Sequence, residues 1–414
     1  MRIGIYLEYI SPTSGGGYTF QRDILGAFSN MQTESRHSFF LFVDIRNLKE
    51  INRDPQFHGI NKIPYRIPRI VRLVGSVARR FNIFYLDKLG TVEQLAVRNG
   101  IEFLWFLTPA PYPVDIPYLT VVWDLQHRLQ PWFPEVSHGM EWQNREVLNA
   151  SVLRRAAVIV SGNEAGKNEI REFYGVNQER ICLLPHPTPG FSLMQSSSND
   201  REVLNKYGID EHCQYLFYPA QFWSHKNHVN LLLAVRLLKE KHGLPLSVVF
   251  VGSDKGNKGY IRGLVRKLDL EKQVFFLDFV PAEHLAALYR RAVALTYVTF
   301  FGPENLPPLE AFGLGCPVIA SEVSGAREQF GEAAVYVNPK DPGSIASAIK
   351  IVYQDRELRK ELISRGKDRA QRWTSKDFVR GVFRILDDFE TVRRCWDTPG
   401  CRIRQFGIHA HNKI

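Results

Sequence analysis

The sequence predicts an α/β protein built from two doubly wound, Rossmann-like domains, and three features predict it. The chain opens on a short apolar run, a glycine-rich loop and an amphipathic helix, the usual start of a doubly wound sheet. The same order restarts at Tyr215, after a stretch rich in proline and serine. From Leu246 to Val337 short apolar runs then alternate with helical stretches, the signature of a parallel sheet with crossover helices. A chain of 414 residues, 44% of them hydrophobic, is long enough for two full cores.

The first apolar run covers residues 2–7, and Gly15-Gly16-Gly17 follows a Ser-Pro-Thr-Ser turn. Phe20, Ile24, Leu25 and Phe28 then share one helical face. The Gly-x-Gly-x-x-Gly fingerprint is absent, which disfavours a nicotinamide enzyme. A glycine loop between strand and helix still lets backbone approach a phosphate, although on this loop alone a plain surface turn is as good a reading.

Lys62, Arg66, Arg69, Arg72, Arg79 and Arg80 come next, with no acid between Lys62 and Phe84. A helix after Pro68 sets Ile70, Leu73, Val74, Val77 and Phe81 opposite Arg69, Arg72, Arg79 and Arg80. Most such helices pack an apolar face on a core; an all-basic polar face also suits an anionic membrane surface, so residues 62–84 carry the expectation of membrane contact.

Tyr118-Leu-Thr-Val-Val-Trp-Asp124 reads as a buried strand running into Leu-Gln-His127-Arg128, and strand ends are where open α/β sheets place chemistry. His127 has the ordinary pKa for proton traffic near neutrality, and Asp124 is the acid beside it; the plainer reading of His127 is a hydrogen-bonded loop residue. Ala157–Ser161 is a further strand, and Ser161-Gly-Asn-Glu164 reads as a capping box opening a helix. Pro185, Pro187, Pro189, Gly190 and Ser196-Ser-Ser-Asn-Asp form the clearest linker. The expected division is therefore residues 1–188, a linker at 189–200, a second domain at 201–385 and a helix and tail at 386–414.

In the second half, Tyr215–Tyr218 is a strand, Pro219 to Asn227 a loop, and Val229 to His242 an apolar helix closed by Gly243. Lys226 falls at that helix's entrance, where a cation opposes the dipole unless an anion sits there too. The stretch from Thr299 to Ser321 reads as loop, helix and strand. Gly302, Pro303 and Asn305 break regular structure, Pro307 and Pro308 suit a first helical turn, Gly313 and Gly315 end the helix, and Pro317-Val-Ile-Ala resumes as a strand. Glu310 is expected in the first turn, where an acid is worth roughly 0.3 to 1 kcal/mol for structure alone. Free amides at 302–306, a helix N-terminus and one acid together suit a ligand carrying hydroxyls and phosphate.

Five cysteines, Cys182, Cys213, Cys316, Cys395 and Cys401, form no Cys-x-x-Cys pair, so neither a disulfide framework nor a zinc site is expected. A net charge of +10 favours a polyanionic partner, nucleotide or anionic membrane; no nucleic-acid motif is present and the basic residues are dispersed. Without a long apolar span or a leader-like N-terminus, the expected location is the cytoplasm.

Leu306-Pro-Pro-Leu-Glu310 and Gly315-Cys-Pro-Val-Ile319 resemble the donor-binding signature of the retaining, family 4 (group 1) glycosyltransferases. Lys226-Asn227 matches the family's Lys-Asn, and the resemblance is strongest over residues 215–340. Three positions depart from the pattern: Gly302 stands where the first of two glutamates is usual, Gln221 where an Arg is usual, and Trp123 where a His precedes Asp124. The resemblance implies two domains facing a cleft, the arrangement called GT-B, with the last helix crossing back to the first domain. It also implies sugar transfer from a nucleotide diphosphate sugar to a glycan or lipid-linked acceptor with retention of configuration. Gly16, Gly17, Gln221, Lys226, Gly302, Pro303, Asn305, Leu306 and Glu310 would bind the donor. Glu304, two residues on from Gly302, is the candidate to take over from the missing glutamate and His127 the candidate for the missing histidine, and with Asp124 and Lys226 they make the expected catalytic set. No cofactor is implied, and no Asp-x-Asp pair occurs to chelate a metal. A sugar-nucleotide epimerase on the same fold and a non-catalytic nucleotide-binding scaffold are the alternatives.

Overall fold

The computed structural model describes residues 1–7, 15–54, 57–66, 90–194 and 199–397. Two sheets organise it, each wholly parallel. The first has seven strands in the order β3-β2-β1-β4-β5-β6-β7: β1 (Arg2–Leu7), β2 (Ser38–Asp44), β3 (Asn61–Tyr65), β4 (Phe103–Phe106), β5 (Tyr118–Val122), β6 (Val158–Ser161) and β7 (Ile181–Leu183). The second has six in the order β10-β9-β8-β11-β12-β13: β8 (Tyr215–Pro219), β9 (Ser247–Val251), β10 (Val274–Leu277), β11 (Ala294–Tyr297), β12 (Val318–Ser321) and β13 (Ala334–Val337). Central strands are buried along almost their whole length because helices cover both faces, which is why they read as unbroken apolar runs.

In each sheet the strand order reverses once, between β1 and β4 and between β8 and β11. Loops leaving the carboxyl ends of strands flanking such a reversal splay apart and open a crevice. Gly15–Gly17 leave β1, Asp124 leaves β5, Gln221 to Lys226 leave β8, and residues 302–305 leave β11, so all the loops singled out from sequence stand at one cleft.

The Ser375–Arg393 helix packs onto the first domain, where Phe378, Val379, Val382, Phe383 and Leu386 share a core with Ile24, Phe28 and Phe39. The boundary expected at residue 385 therefore falls inside one continuous apolar face. The return begins at Thr374, whose side chain forms a capping box with Asp377. At the start of the expected linker a short helix, Gly190–Leu193, lies against the Leu306–Leu314 helix. Gly313 meets it so closely that a Cβ there would sit 2.7 Å from Ser192 Oγ.

The capping box expected at Ser161 is displaced. Asn163, extended at φ −153°, caps the Glu164–Tyr174 helix by accepting the Gly166 N–H at 2.8 Å, while Ser161 ends β6. Lys62 lies in β3, an edge strand. The helix expected after Pro68, with Arg69, Arg72, Arg79 and Arg80, lies outside the described residues, as does the chain beyond Asp397. Among the described residues no helix is long and apolar enough to cross a membrane.

Candidate active site

The two domains enclose a cleft of about 860 Å³. On the first-domain wall, Gly15 adopts φ 78°, a left-handed conformation that favours glycine, and lets the Gly16–Met31 helix begin facing the cleft. The loop comes close to the opposite wall: a Cβ on Gly16 would lie 3.3 Å from Leu306 Cδ1, and one on Gly15 3.7 Å from Gln221 Nε2. Asp124, just past β5, accepts the Gln126 N–H at 3.0 Å and pairs with Arg145 at 3.3 Å.

His127 departs from the catalytic role given it above. The short helix Gln126–Leu129 turns Gln126 to the cleft and His127 into the core, fully buried, 3.0 Å from the Tyr174 hydroxyl and 3.4 Å from Glu146. Burial pulls its pKa down, so it is a neutral structural residue.

On the second-domain wall, Lys226 ends a 3₁₀ turn, and Asn227, left-handed at φ 59°, starts the His228–His242 helix. Asn227 Nδ2 is clamped between the carbonyls of Val298 and Pro339 at 2.8 Å each, and the Tyr218 hydroxyl holds the Lys226 carbonyl. So anchored, the lysine reaches into the cleft with Nζ 3.0 Å from the Tyr297 hydroxyl. Gln221 lines the same wall and accepts from Trp223 Nε1 at 3.0 Å.

Gly302, at φ 139°, gives the missing family glutamate a physical cause. A Cβ there would be strained and would lie 2.5 Å from the Asn305 side chain, which donates back to the Gly302 carbonyl at 2.8 Å. The amides of 302–306 are not all free, contrary to expectation: Pro303 has no N–H, and the Asn305 N–H donates to Gln329 Oε1 at 2.8 Å. The Pro303 carbonyl accepts from Asn163 Nδ2 at 2.7 Å, a bond between domains.

Two glutamates differ from expectation. Glu304 does not extend freely toward a sugar; its carboxylate is 5% exposed, accepts the His186 N–H at 2.7 Å and rests against Gly162 of the first domain. Glu310 is not a first-turn acid. The Leu306–Leu314 helix starts early enough to carry it into the second turn, where it is 7% exposed and accepts from the Tyr289 hydroxyl at 2.6 Å. Burial pushes its pKa up to about 7, opposed by the Tyr289 hydrogen bond and aided by nearby Asp23.

Sequence reasoning missed His186, His225, Glu135 and Tyr289. His225 and Glu135 join across the cleft, and the Phe133 ring stacks on Phe300 at 6.0 Å beside them. Partners 90 residues apart leave no local signal. His186 alone had one, since Pro185-His-Pro187 places a histidine in a rigid turn. Among the described residues no cluster of three or more His, Cys, Asp or Glu is placed to hold a metal.

Residues 199–369 match the family model described as glycosyl transferases group 1, a span that contains Gln221, Lys226, the 302–306 loop and Glu310. The chain is 27% identical over 289 residues to the O-antigen chain mannosyltransferase RfbU of Salmonella typhimurium, covering 70% of this chain and 76% of that protein. It is 26% identical over 260 residues to a D-inositol 3-phosphate glycosyltransferase of Corynebacterium kroppenstedtii, covering 60% of this chain and 57% of that one. Anabaena Alr3699/HepE, solved in complex with UDP and glucose, superposes with a TM-score of 0.69 at 16% identity, covering 94% of this chain and 100% of its own. WaaG, a glycosyltransferase involved in lipopolysaccharide biosynthesis, superposes with a TM-score of 0.67 at 15% identity, covering 92% of this chain and 99% of its own. The group 1 resemblance thus holds over the second domain's sequence, and the two-domain GT-B arrangement holds over nearly the whole chain.

Proposed function

We propose that this protein is a retaining glycosyltransferase that moves a sugar from a nucleoside diphosphate to an acceptor hydroxyl during glycan, polysaccharide or glycolipid synthesis. The observation that carries the reading is the convergence of the Gly15–Gly17 loop, Lys226 and the 302–306 loop on one cleft between two switch points. The mannosyltransferase and the D-inositol 3-phosphate glycosyltransferase named above support glycosyl transfer, and the neighbour solved with UDP and glucose supports a sugar nucleotide as donor.

In this reading the diphosphate lies between the start of the Gly16–Met31 helix and Lys226, and Glu310, once ionised, accepts the nucleotide's ribose hydroxyls. The bond between the anomeric carbon and the phosphate oxygen breaks, and negative charge grows on the diphosphate. Lys226 and the unshared amides of the two loops stabilise that charge at the transition state. The acceptor oxygen attacks on the face the diphosphate leaves, and its proton passes to the departing phosphate oxygen. Asp124, held by Arg145, lines the same cleft and is assigned to the acceptor in this reading. The reaction so drawn uses no cofactor and no chelated metal. The acceptor is a glycan or a lipid-linked one, and the basic segment 62–84 brings the enzyme to the cytoplasmic face of the membrane.

Thermal stabilisation by a panel of nucleoside diphosphates and their sugars tests the reading. One base should raise the melting temperature of the wild type and do so far less for Lys226→Ala. No stabilisation by any member contradicts it. An epimerase would convert its sugar nucleotide with no acceptor present, and a scaffold would bind without turnover.

A further inference from the structure

Among the described residues, the ionisable groups of the cleft are mostly engaged within one wall or already assigned. Asp124 meets Arg145, Lys226 meets Tyr297, Glu310 meets Tyr289, and Asp254 and Asp278 both meet Lys258. Glu135 and His225 hold each other between the domains. His186 and Glu304 remain, one from each domain, and nothing above gives the histidine a role.

The geometry around His186 is specific. Its Nδ1 lies 3.5 Å from Glu304 Oε2 and has no hydrogen-bond partner, while its own N–H donates to Glu304 Oε1 at 2.7 Å. Glu304 cannot swing away toward the first domain, because Gly162 already meets it so closely that a Cβ there would fall 1.4 Å from Oε2. Phe20 packs against the imidazole with centroids 5.1 Å apart and ring planes at 66°. His186 lines the cleft, and with Nδ1 toward Glu304 and Phe20 beside the ring, Nε2 is the nitrogen left for a ligand.

We propose that His186 contacts the transferred sugar, its Nε2 hydrogen-bonding a sugar hydroxyl, and that Glu304 is the positioning residue that orients the ring. Gly302 has no side chain to offer a sugar and Glu304 is turned away beneath His186, so the polar group presented at this end of the loop comes from the facing domain. A carboxylate beside Nδ1 favours the tautomer with the proton on that nitrogen, leaving Nε2 as an acceptor for a hydroxyl proton. Because the two residues belong to different domains, the contact is complete only while the cleft is closed, which ties sugar recognition to closure.

This inference rests on the glycosyl-transfer reading, and its test separates the two. Calorimetric affinities for a nucleoside diphosphate and for the corresponding sugar nucleotide are compared in the wild type, His186→Ala, His186→Gln and Glu304→Gln. Removing a hydrogen bond to a hydroxyl should weaken the sugar nucleotide about tenfold in His186→Ala while the nucleoside diphosphate changes by less than about twofold. His186→Gln, whose amide also reaches and accepts, should recover part of the loss, and turnover should follow the same order. Glu304→Gln keeps an acceptor for the His186 N–H and serves as the second variant if His186→Ala melts early. Equal loss for both ligands, or no loss for either, overturns the sugar contact and leaves glycosyl transfer standing. A wild type that binds no sugar nucleotide overturns both.

Discussion

Replacing Glu310 by Gln should make the protein more stable above neutral pH while weakening its grip on nucleotide. The carboxyl is buried and its pKa is raised from 4.5 to about 7, chiefly by desolvation. A folded-state pKa above the unfolded value means that the folded chain holds an extra proton between these limits. The stability this gives is fully present below about pH 4.5 and is lost as pH rises through about 7. A displacement of this size corresponds to on the order of 2 to 3 kcal/mol at about pH 8. Gln still accepts from Tyr289 and carries no charge to desolvate. For a domain of this size about 2 kcal/mol is a gain of roughly 4 to 8 °C in melting temperature at about pH 8, shrinking toward zero near pH 4.5. Scanning calorimetry at both pH values measures it, and titration with nucleoside diphosphate measures the binding lost with the carboxylate. A gain of equal size at both pH values, or destabilisation at about pH 8, refutes the buried-carboxylate argument; unchanged nucleotide affinity refutes the ribose contact.

Three further outcomes are expected. Lys226→Ala should lower turnover on the order of a hundredfold to a thousandfold, with Lys226→Arg partly active, because the lost charge acts most on the departing diphosphate; steady-state kinetics checks this, and a change of only a few-fold counts against it. Gly162→Ala places a Cβ 1.4 Å from the Glu304 carboxylate and should force the domains apart, seen as a larger radius of gyration by X-ray scattering and a loss of transfer, with the two cores intact. An unchanged radius and unchanged rate show that Glu304 yields instead. Changing Arg69, Arg72, Arg79 and Arg80 together to Gln should abolish sedimentation with phosphatidylserine vesicles, each basic residue being worth about 1 kcal/mol near an anionic surface; a wild type that does not sediment rejects membrane contact.

The second sheet was legible because β8, β9, β11 and β12 are covered on both faces and so read as unbroken apolar runs between helical stretches. β3 was not, for it is an edge strand that tolerates Lys62 and Pro64, and it read instead as the start of a basic segment. β7, three residues long, carried too little periodicity. The cleft loops were readable since each follows a strand and contains residues with a local reason to be there: a left-handed glycine, a lysine at a helix entrance, a Pro-Pro helix start. Direction was the part sequence withheld. One residue of offset sends His127 into the core while Gln126 faces the cleft, and Glu304 is drawn beneath His186, a partner 118 residues away in the chain. Contacts such as Glu135 with His225 exist only once two independently wound domains meet, so no window of the sequence contains them.

Acceptor-dependent release of nucleoside diphosphate from the sugar nucleotide that stabilises the wild type, measured in excess chelator with the product's anomeric configuration read by NMR, decides whether the cleft transfers a sugar with retention and without metal. Release should require acceptor, proceed without divalent ion and give a glycoside of the donor's own configuration. Release that ignores the acceptor, activity that appears only when a divalent ion is restored, or an inverted product contradicts it.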